Sequence, residues 1–231
     1  MSHALPFDAE PRGRDALADM RQFMRTEAPV ILDVGANQGQ SAQRFLSAFP
    51  GAVLHCFEPG ASFQLLQRNL AQTPQVRLWN LALGAEAGQR LLLENDHPDM
   101  TSFLAPDQAA WGQVARRTEV TMSTVDAILA QEKLARVDLL KTDTQGFELE
   151  VFKGAEQSLA QGRIGMVYFE LIFSAMYRGQ PLFTEPLNFL LQRGFRLVAF
   201  YDFFYQKRLA GWADALLVHE AYVPPCCTYC D

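Results

Sequence analysis

One stretch, residues 30–40, constrains this chain more than any other: Val-Ile-Leu-Asp-Val-Gly-Ala-Asn-Gln-Gly-Gln. Val30, Ile31 and Leu32 predict a strand buried on both faces, as in parallel sheets. The strand ends at Asp33, Gly35 and Gly39 follow, and Ala42, Phe45, Leu46 and Phe49 then recur at helical spacing. Strand, glycine turn, helix is the frame of a nucleotide site. Glycine lets the backbone approach a ligand, and a helix N-terminus offers unpaired N–H groups.

The turn is not built for a pyrophosphate. A dinucleotide site wants G-x-G-x-x-G, and here Asn37 stands where the middle glycine would be. An acid at the strand end suits a ligand that carries positive charge. S-adenosylmethionine has a sulfonium, an ammonium and no phosphate. A second apolar run, Val53-Leu54-His55-Cys56-Phe57, ends in Glu58 at the distance where ribose-binding acids occur, and its carboxylate can accept both ribose hydroxyls.

At 231 residues, 49% of them hydrophobic, the chain suits one α/β domain with a full core. A net charge of −6 argues against nonspecific nucleic-acid binding. No apolar run approaches the ~20 residues of a membrane span, so no membrane partner is expected. Residues 1–11 lack the basic and apolar regions of a signal peptide, and the cytoplasm is the expected location. Cys56 reads as a small core residue, and Cys226, Cys227 and Cys230 as a reducible tail without the spacing of a metal site.

In chain order, residues 12–28 predict a helix with Leu17, Met20 and Met24 on one face, a cap on the sheet edge or over the cofactor. After the first two strands and helices, residues 76–83 predict a third strand and 89–94 a short extra one. Residues 95–118 have no clear period and read as a lid or substrate loop. A helix capped by Ser123 or Thr124 leads to a strand over 137–141, then a helix with Phe152, Ala155 and Leu159 on one face. Residues 166–173 predict a strand carrying Glu170, and 181–192 a helix closed by Gly194. Strands over 195–201 and 213–219 finish the sheet, with 202–212 as a linker. The aromatic run Phe200, Tyr201, Phe203, Phe204, Tyr205 reads as core and pocket wall.

Four stretches, in this order, resemble the FkbM family of S-adenosylmethionine-dependent methyltransferases: Leu32 through Gln40; Phe57-Glu58-Pro59; Asn80-Leu81-Ala82-Leu83-Gly84; and Lys141 through Glu148, continued by Val151-Phe152-Lys153-Gly154-Ala155. The Asp-x-x-Gly-x-Glu core of the fourth is kept as Asp143, Gly146 and Glu148. The resemblance implies a Rossmann-like class I α/β fold, a mostly parallel seven-stranded sheet with an antiparallel last strand and helices on both faces. It implies an O-methyltransferase acting on a sugar, glycan or secondary metabolite. The domain is expected over 30–220, after a helical extension over 1–29 and before the tail at 221–231.

The cofactor residues expected on these grounds are Asp33, Gly35, Ala36, Asn37, Gly39, Ser41, Glu58 and Ala82. Asp33 would orient the ammonium directly or through water, and Ala82 would lie against the adenine. Asp143 and Glu170, at matching strand ends, are the candidate bases. Ser102, Tyr177 and Gln180 are the candidate acceptor contacts, and His97 reads as an exposed loop residue. Asp143, Glu148 and Glu170 offer oxygen ligands, but without a carboxylate–asparagine pair no metal is expected. A homodimer is compatible with this reading. A nicotinamide-dependent oxidoreductase and a noncatalytic S-adenosylmethionine-binding subunit are the competing readings.

Overall fold

The computed structural model describes residues 12–223, and residues 1–11 and 224–231, with Cys226, Cys227 and Cys230, lie outside it. Helix α1 (Ala16–Phe23) opens the fold, its N-terminus capped by the Asp15 carboxylate, which accepts from the Leu17 and Ala18 amides. It is shorter than the periodicity predicts, because Met24 already takes an extended conformation. Strand β1 (Val30–Val34), α2 (Gln40–Ala48), β2 (Val53–Phe57), α3 (Ser62–Leu70) and β3 (Val76–Trp79) follow as parallel crossovers.

The predicted third strand is broken. Residues after Trp79 leave the main sheet, and β4 (Ala82–Leu83) joins β5 (Gly88–Asn95) and β6 (Val114–Ser123) in a separate three-stranded sheet. That sheet absorbs the end of the stretch expected to be a loop. Within it Pro98–Met100 form a 3₁₀ turn, and Ser102 exchanges two backbone hydrogen bonds with Leu93.

Helix α4 (Val125–Gln131) is capped by Thr124, whose hydroxyl accepts from the Ala127 amide. Strand β7 (Val137–Thr142) is buried throughout. The predicted next helix is two, α5 (Glu148–Lys153) and α6 (Glu156–Ala160). Gly154 separates them at a point where a Cβ would lie 2.0 Å from the Gly84 carbonyl oxygen, so only glycine permits the approach. Strand β8 (Ile164–Ile172) and α7 (Thr184–Leu191) lead to β9 (Phe195–Gln206) and β10 (Leu209–His219).

The main sheet runs β3-β2-β1-β7-β8-β10-β9, with β10 antiparallel to both neighbours. The expected fold is the observed one. Its last two strands are much longer than predicted, because the supposed linker is itself strand. Only Lys207 and Arg208 turn the hairpin, both at positive φ, 47° and 70°. The aromatic run is therefore split. Tyr201 is buried, while Phe203, Phe204 and Tyr205 stand 46–68% exposed on the hairpin and are not core.

Two apolar cores lie on opposite faces of the sheet. Leu32, Phe57, Leu140, Phe152, Ala155, Leu159 and Phe169 belong to one, and Ile31, Phe45, Cys56, Leu66, Leu139 and Met166 to the other. Among the described residues no helix is long and apolar enough to cross a membrane.

Candidate functional site

The site grows from the end of β1. Gly35 and Ala36 both donate their amides to the Phe57 carbonyl, hooking the turn over the end of β2. Gly35 sits at φ +75°, and a Cβ there would meet the Asp143 carbonyl oxygen at 2.0 Å. Asn37 takes a left-handed conformation, φ 47°, which its short polar side chain tolerates. Its amide thereby points at Glu58 and donates to Oε2 at 2.8 Å. Gly39 begins α2 and packs against Leu70 and Leu66, where any Cβ would collide. Its smallness serves helix packing, and it lines neither of the cavities described below.

Asp33 is fully buried and also lines neither cavity. It accepts from Ser41 Oγ at 2.6 Å, and its Oδ1 lies 3.1 Å from Lys141 Nζ. The register explains the pair, since Asp33 and Lys141 are neighbours across β1 and β7. Lys141 Nζ also donates to the Gly35 carbonyl at 3.0 Å and lies 3.7 Å from Asp143. Burial works to lower the Lys141 amine, but the Asp33 and Asp143 carboxylates outweigh it and hold the group above its ordinary value. The Asp33 carboxylate is thus held within the protein by Ser41 and Lys141. Asp33 acts beneath the surface, fixing Lys141, which in turn fixes the glycine turn.

Two cavities flank this turn. The first, about 290 Å³, is lined by Gly35, Ala36, Asn37, Ser41 and Arg44, by the α1 residues Ala16, Leu17 and Met20, and by Lys141, Asp143, Tyr168, Glu170 and Asp214. Helix α1 caps this side, and Tyr201 OH ties it down by donating to Asp19 Oδ2 at 2.7 Å. The second, about 100 Å³, lies between Phe57, Glu58, Ala82, Leu83, Leu92, Ser102 and Phe103, with Asn37 and Asp143 shared between the two. Glu58 is buried here, and burial pushes its carboxyl up to about 7, against the opposing pull of the Asn37 amide. Asn37 Oδ1 is buried and has no partner.

Asp143 follows β7, and Glu170 lies in β8. One side chain joins them. Gln145 Nε2 donates to Asp143 Oδ1 at 2.8 Å and to Glu170 Oε2 at 3.1 Å, and its Oε1 accepts from Tyr177 OH at 2.7 Å. Ser102 Oγ donates to the Gln145 carbonyl at 2.7 Å. Gln145 sits at φ 56°, a strained conformation that this network holds. Glu170 is raised well above the usual carboxylate range by burial and by its neighbours Asp143, Glu148 and Asp214. Glu148 accepts from the Thr144 amide and hydroxyl, and burial lifts it to about 7.

The three candidate acceptor residues are each bonded within the protein. Tyr177 is 1% exposed and lines neither cavity; its hydroxyl orients Gln145. Gln180 lines neither cavity, its Oε1 accepting the Met176 and Tyr177 amides and its Nε2 donating to the Ser174 carbonyl. Ser102 borders the second cavity, but its hydroxyl is spent on Gln145. His97 is exposed, as expected. Gln145, Asp214, Tyr168 and Arg44 were missed. Asp214 carries the same signal that marked Glu170, an acid inside an apolar strand. Gln145 lay within a quoted motif but was given no role. Among the described residues no group of three or more His, Cys, Asp or Glu is arranged to hold a metal.

The model of the methyltransferase FkbM domain matches residues 33–197. A curated relative, the 2-O-methyltransferase NoeI of Sinorhizobium fredii (strain NBRC 101917 / NGR234), is 28% identical, with 74% of each chain covered. The methyltransferase sdnD of Sordaria araneosa is 27% identical, covering 56% of this chain and 61% of its own. The crystal structure of methyltransferase FkbM from Methylobacillus flagellatus KT superposes with a TM-score of 0.56 at 15% identity, over 83% of this chain. This chain spans only 44% of that protein. Magnesium protoporphyrin IX methyltransferase from Synechocystis PCC 6803, solved with S-adenosylmethionine bound, superposes at 0.51 with 12% identity, over 88% of this chain and 76% of its own. At these identities the two structures speak for the fold alone.

Proposed function

Because the chain belongs to the FkbM methyltransferase domain family and is an S-adenosylmethionine-dependent methyltransferase, we propose that it methylates a hydroxyl of a sugar, glycan or similar small acceptor. The observation that carries this reading is the pair of cavities meeting at Asn37 and Asp143, one with a single buried carboxylate and the other lined by several. The 2-O-methyltransferase among the relatives supports a hydroxyl acceptor.

The residues present fit the cofactor. Glu58 would accept the ribose hydroxyls, with Ala82, Leu83 and Phe57 beside the adenine. Asn37, whose side-chain oxygen lacks a partner, and Ser41 and Arg44 would border the methionine portion. When bound, S-adenosylmethionine supplies a methyl group on a sulfonium that leaves as a neutral sulfide. The protein's task is then to hold the acceptor in line, an effect of about 7–11 kcal/mol in favourable intramolecular models, and to take one proton.

Asp143 is the proposed base. Its side chain is 44% exposed at the meeting of the cavities, and Gln145 and Lys141 hold it from two sides. Glu170, which burial and the neighbouring acids hold above the ordinary carboxylate range, borders the first cavity beside Asp143 and would orient the acceptor. Helix α1, over the first cavity, excludes water. Incubating the protein with a deuterated-methyl donor and a panel of sugars, glycans and metabolite extracts, read by mass spectrometry, tests the proposal. Label on an acceptor oxygen is the expected result. Label confined to nitrogen or carbon would contradict the O-methyl assignment.

A further inference from the structure

The β9–β10 hairpin overhangs the main sheet. Ile172, the last residue of β8, pairs with Trp212, so residues 205–211 run on past the carboxyl ends of the parallel strands, the side where the glycine turn and Asp143 lie. A ribbon on a protein surface ordinarily turns an apolar face inward and a polar face to water. This one is apolar on both. Phe203 stacks with Phe173 and Tyr205 on one face, ring centroids 6.2 and 6.4 Å apart, and Phe204 stacks on Trp212 at 4.9 Å on the other. None of Phe203, Phe204 and Tyr205 is buried by these contacts, and Leu209, across the turn, is 74% exposed. The tip is cationic. Lys207 and Arg208 are exposed, and among the described residues neither has an ion pair. They fill the left-handed turn positions that a hairpin ordinarily gives to Asn-Gly, so both charges stand where the backbone disfavours their residue types. Between 202 and 212 the only acid is Asp202, at the base of the hairpin.

Exposed apolar patches mark contact sites, and here the arrangement selects the partner. A flat contact with another protein, a second copy included, covers one face of a ribbon and leaves the other in water. The headgroup layer of a bilayer takes in both faces, accommodates aromatic rings at its depth and sets lipid phosphates beside lysine and arginine. We propose that the β9–β10 hairpin docks the protein on an anionic membrane surface. A contact of this kind needs no span, and among the described residues no helix could supply one. The whole chain carries a net charge of −6, so the attraction is local to the tip. Docking brings the carboxyl ends of the strands, with Asp143 and Glu170, toward acceptors held at that surface. It goes beyond the acceptor reading above and stands without it.

Co-sedimentation of the full chain with lipid vesicles tests it. One set is pure phosphatidylcholine, and the other is phosphatidylcholine mixed with phosphatidylglycerol. The wild type should bind the mixed vesicles at least about tenfold more tightly than the neutral ones, the scale expected of its tip cations, and added salt should weaken that binding. Lys207→Asn combined with Arg208→Gly removes both charges and installs the residues the turn prefers, so the hairpin is kept. That variant should lose the preference for phosphatidylglycerol. Tyr205→Ser combined with Leu209→Ser should weaken binding to both vesicle sets, while calorimetry with S-adenosylhomocysteine gives the wild-type affinity. A wild type that stays in the supernatant with mixed vesicles, or binds both sets equally, would overturn the proposal. So would a charge variant that keeps the full preference. Sedimentation velocity covers the competing occupant. A wild-type dimer that Tyr205→Ser with Leu209→Ser converts to monomer would give the hairpin to a second copy and overturn membrane docking.

Discussion

The two cavities beside the glycine turn are opposites. The smaller has apolar walls, Phe57, Leu83, Leu92 and Phe103, and one deep carboxylate whose Oε2 accepts a backbone amide. The larger has Asp143, Glu170 and Asp214 on its walls and an amide side chain bridging two of them. The difference teaches how the fold divides its labour. The donor side uses backbone and a single acid at the ends of consecutive strands. The other side uses acids inside β8 and β10, strands far apart in sequence from the turn. The first arrangement suits a ligand that never changes, and the second suits an acceptor peculiar to this enzyme.

The largest effect expected from breaking this contrast is at the shared wall. Asp143→Asn should lower kcat by about 10²–10⁴-fold, the usual range for a lost general base, with donor affinity little changed. Rapid-quench single-turnover rates check it. A variant with full activity would move the base elsewhere. On the donor side, Glu58→Ala should weaken S-adenosylmethionine binding at least about tenfold, ~1.4 kcal/mol, by calorimetry. Unchanged affinity would remove the ribose assignment and with it the sense of the smaller cavity.

A subtler break is Gln145→Asn. Asparagine tolerates the left-handed backbone but is too short to reach both Asp143 and Glu170. The expected loss is about tenfold in kcat, matching one hydrogen bond to a charged group, with a shifted pH–rate profile. A rate loss without any change in the profile would mark a purely structural part.

The smallest effect is a slope in stability. Burial raises Glu58 and Glu148 to about 7 and Asp214 to about 6, from ordinary values of 4.5, 4.5 and 3.8. Between about pH 4 and 7 the folded chain therefore binds more protons than the unfolded one. Stability should fall as pH rises through that window and level off above it. Melting scans of the ligand-free protein should give a higher Tm at pH 5 than at pH 7.5. An opposite slope would mean that these acids are paired in ways the two cavities do not include. Donor affinity should rise over the same window, as Glu58 ionises to accept the ribose.

How much of this was legible in the sequence follows the same division. The glycine turn, the acid after the second strand and the succession of strands and helices along the chain could be read because each has a local signature, a short apolar run ending in a special residue. The hairpin turn at Lys207 and Arg208 could not, because neither residue type favours positive φ and the long strand pairing supplies the stability instead. The break after Trp79 was hidden because an unbroken apolar pattern does not say which of two sheets a strand joins. Asp33 looked like a ligand contact, and only the β1–β7 register reveals that Lys141 claims it. Tyr177 and Gln180 follow the strand that carries Glu170, and both side chains bond inward. Chain direction can be read from a loop, whereas side-chain direction depends on contacts with Gln145 and Ser174.

The account rests on the donor lying across the glycine turn with its nucleoside toward the smaller cavity. A crystal structure with S-adenosylhomocysteine tests this most directly. The account predicts both ribose hydroxyls on the Glu58 carboxylate and the sulfur beside Asp143, facing Glu170 and Asp214. A nucleoside seated among the acids of the larger cavity, with Glu58 untouched, would contradict it.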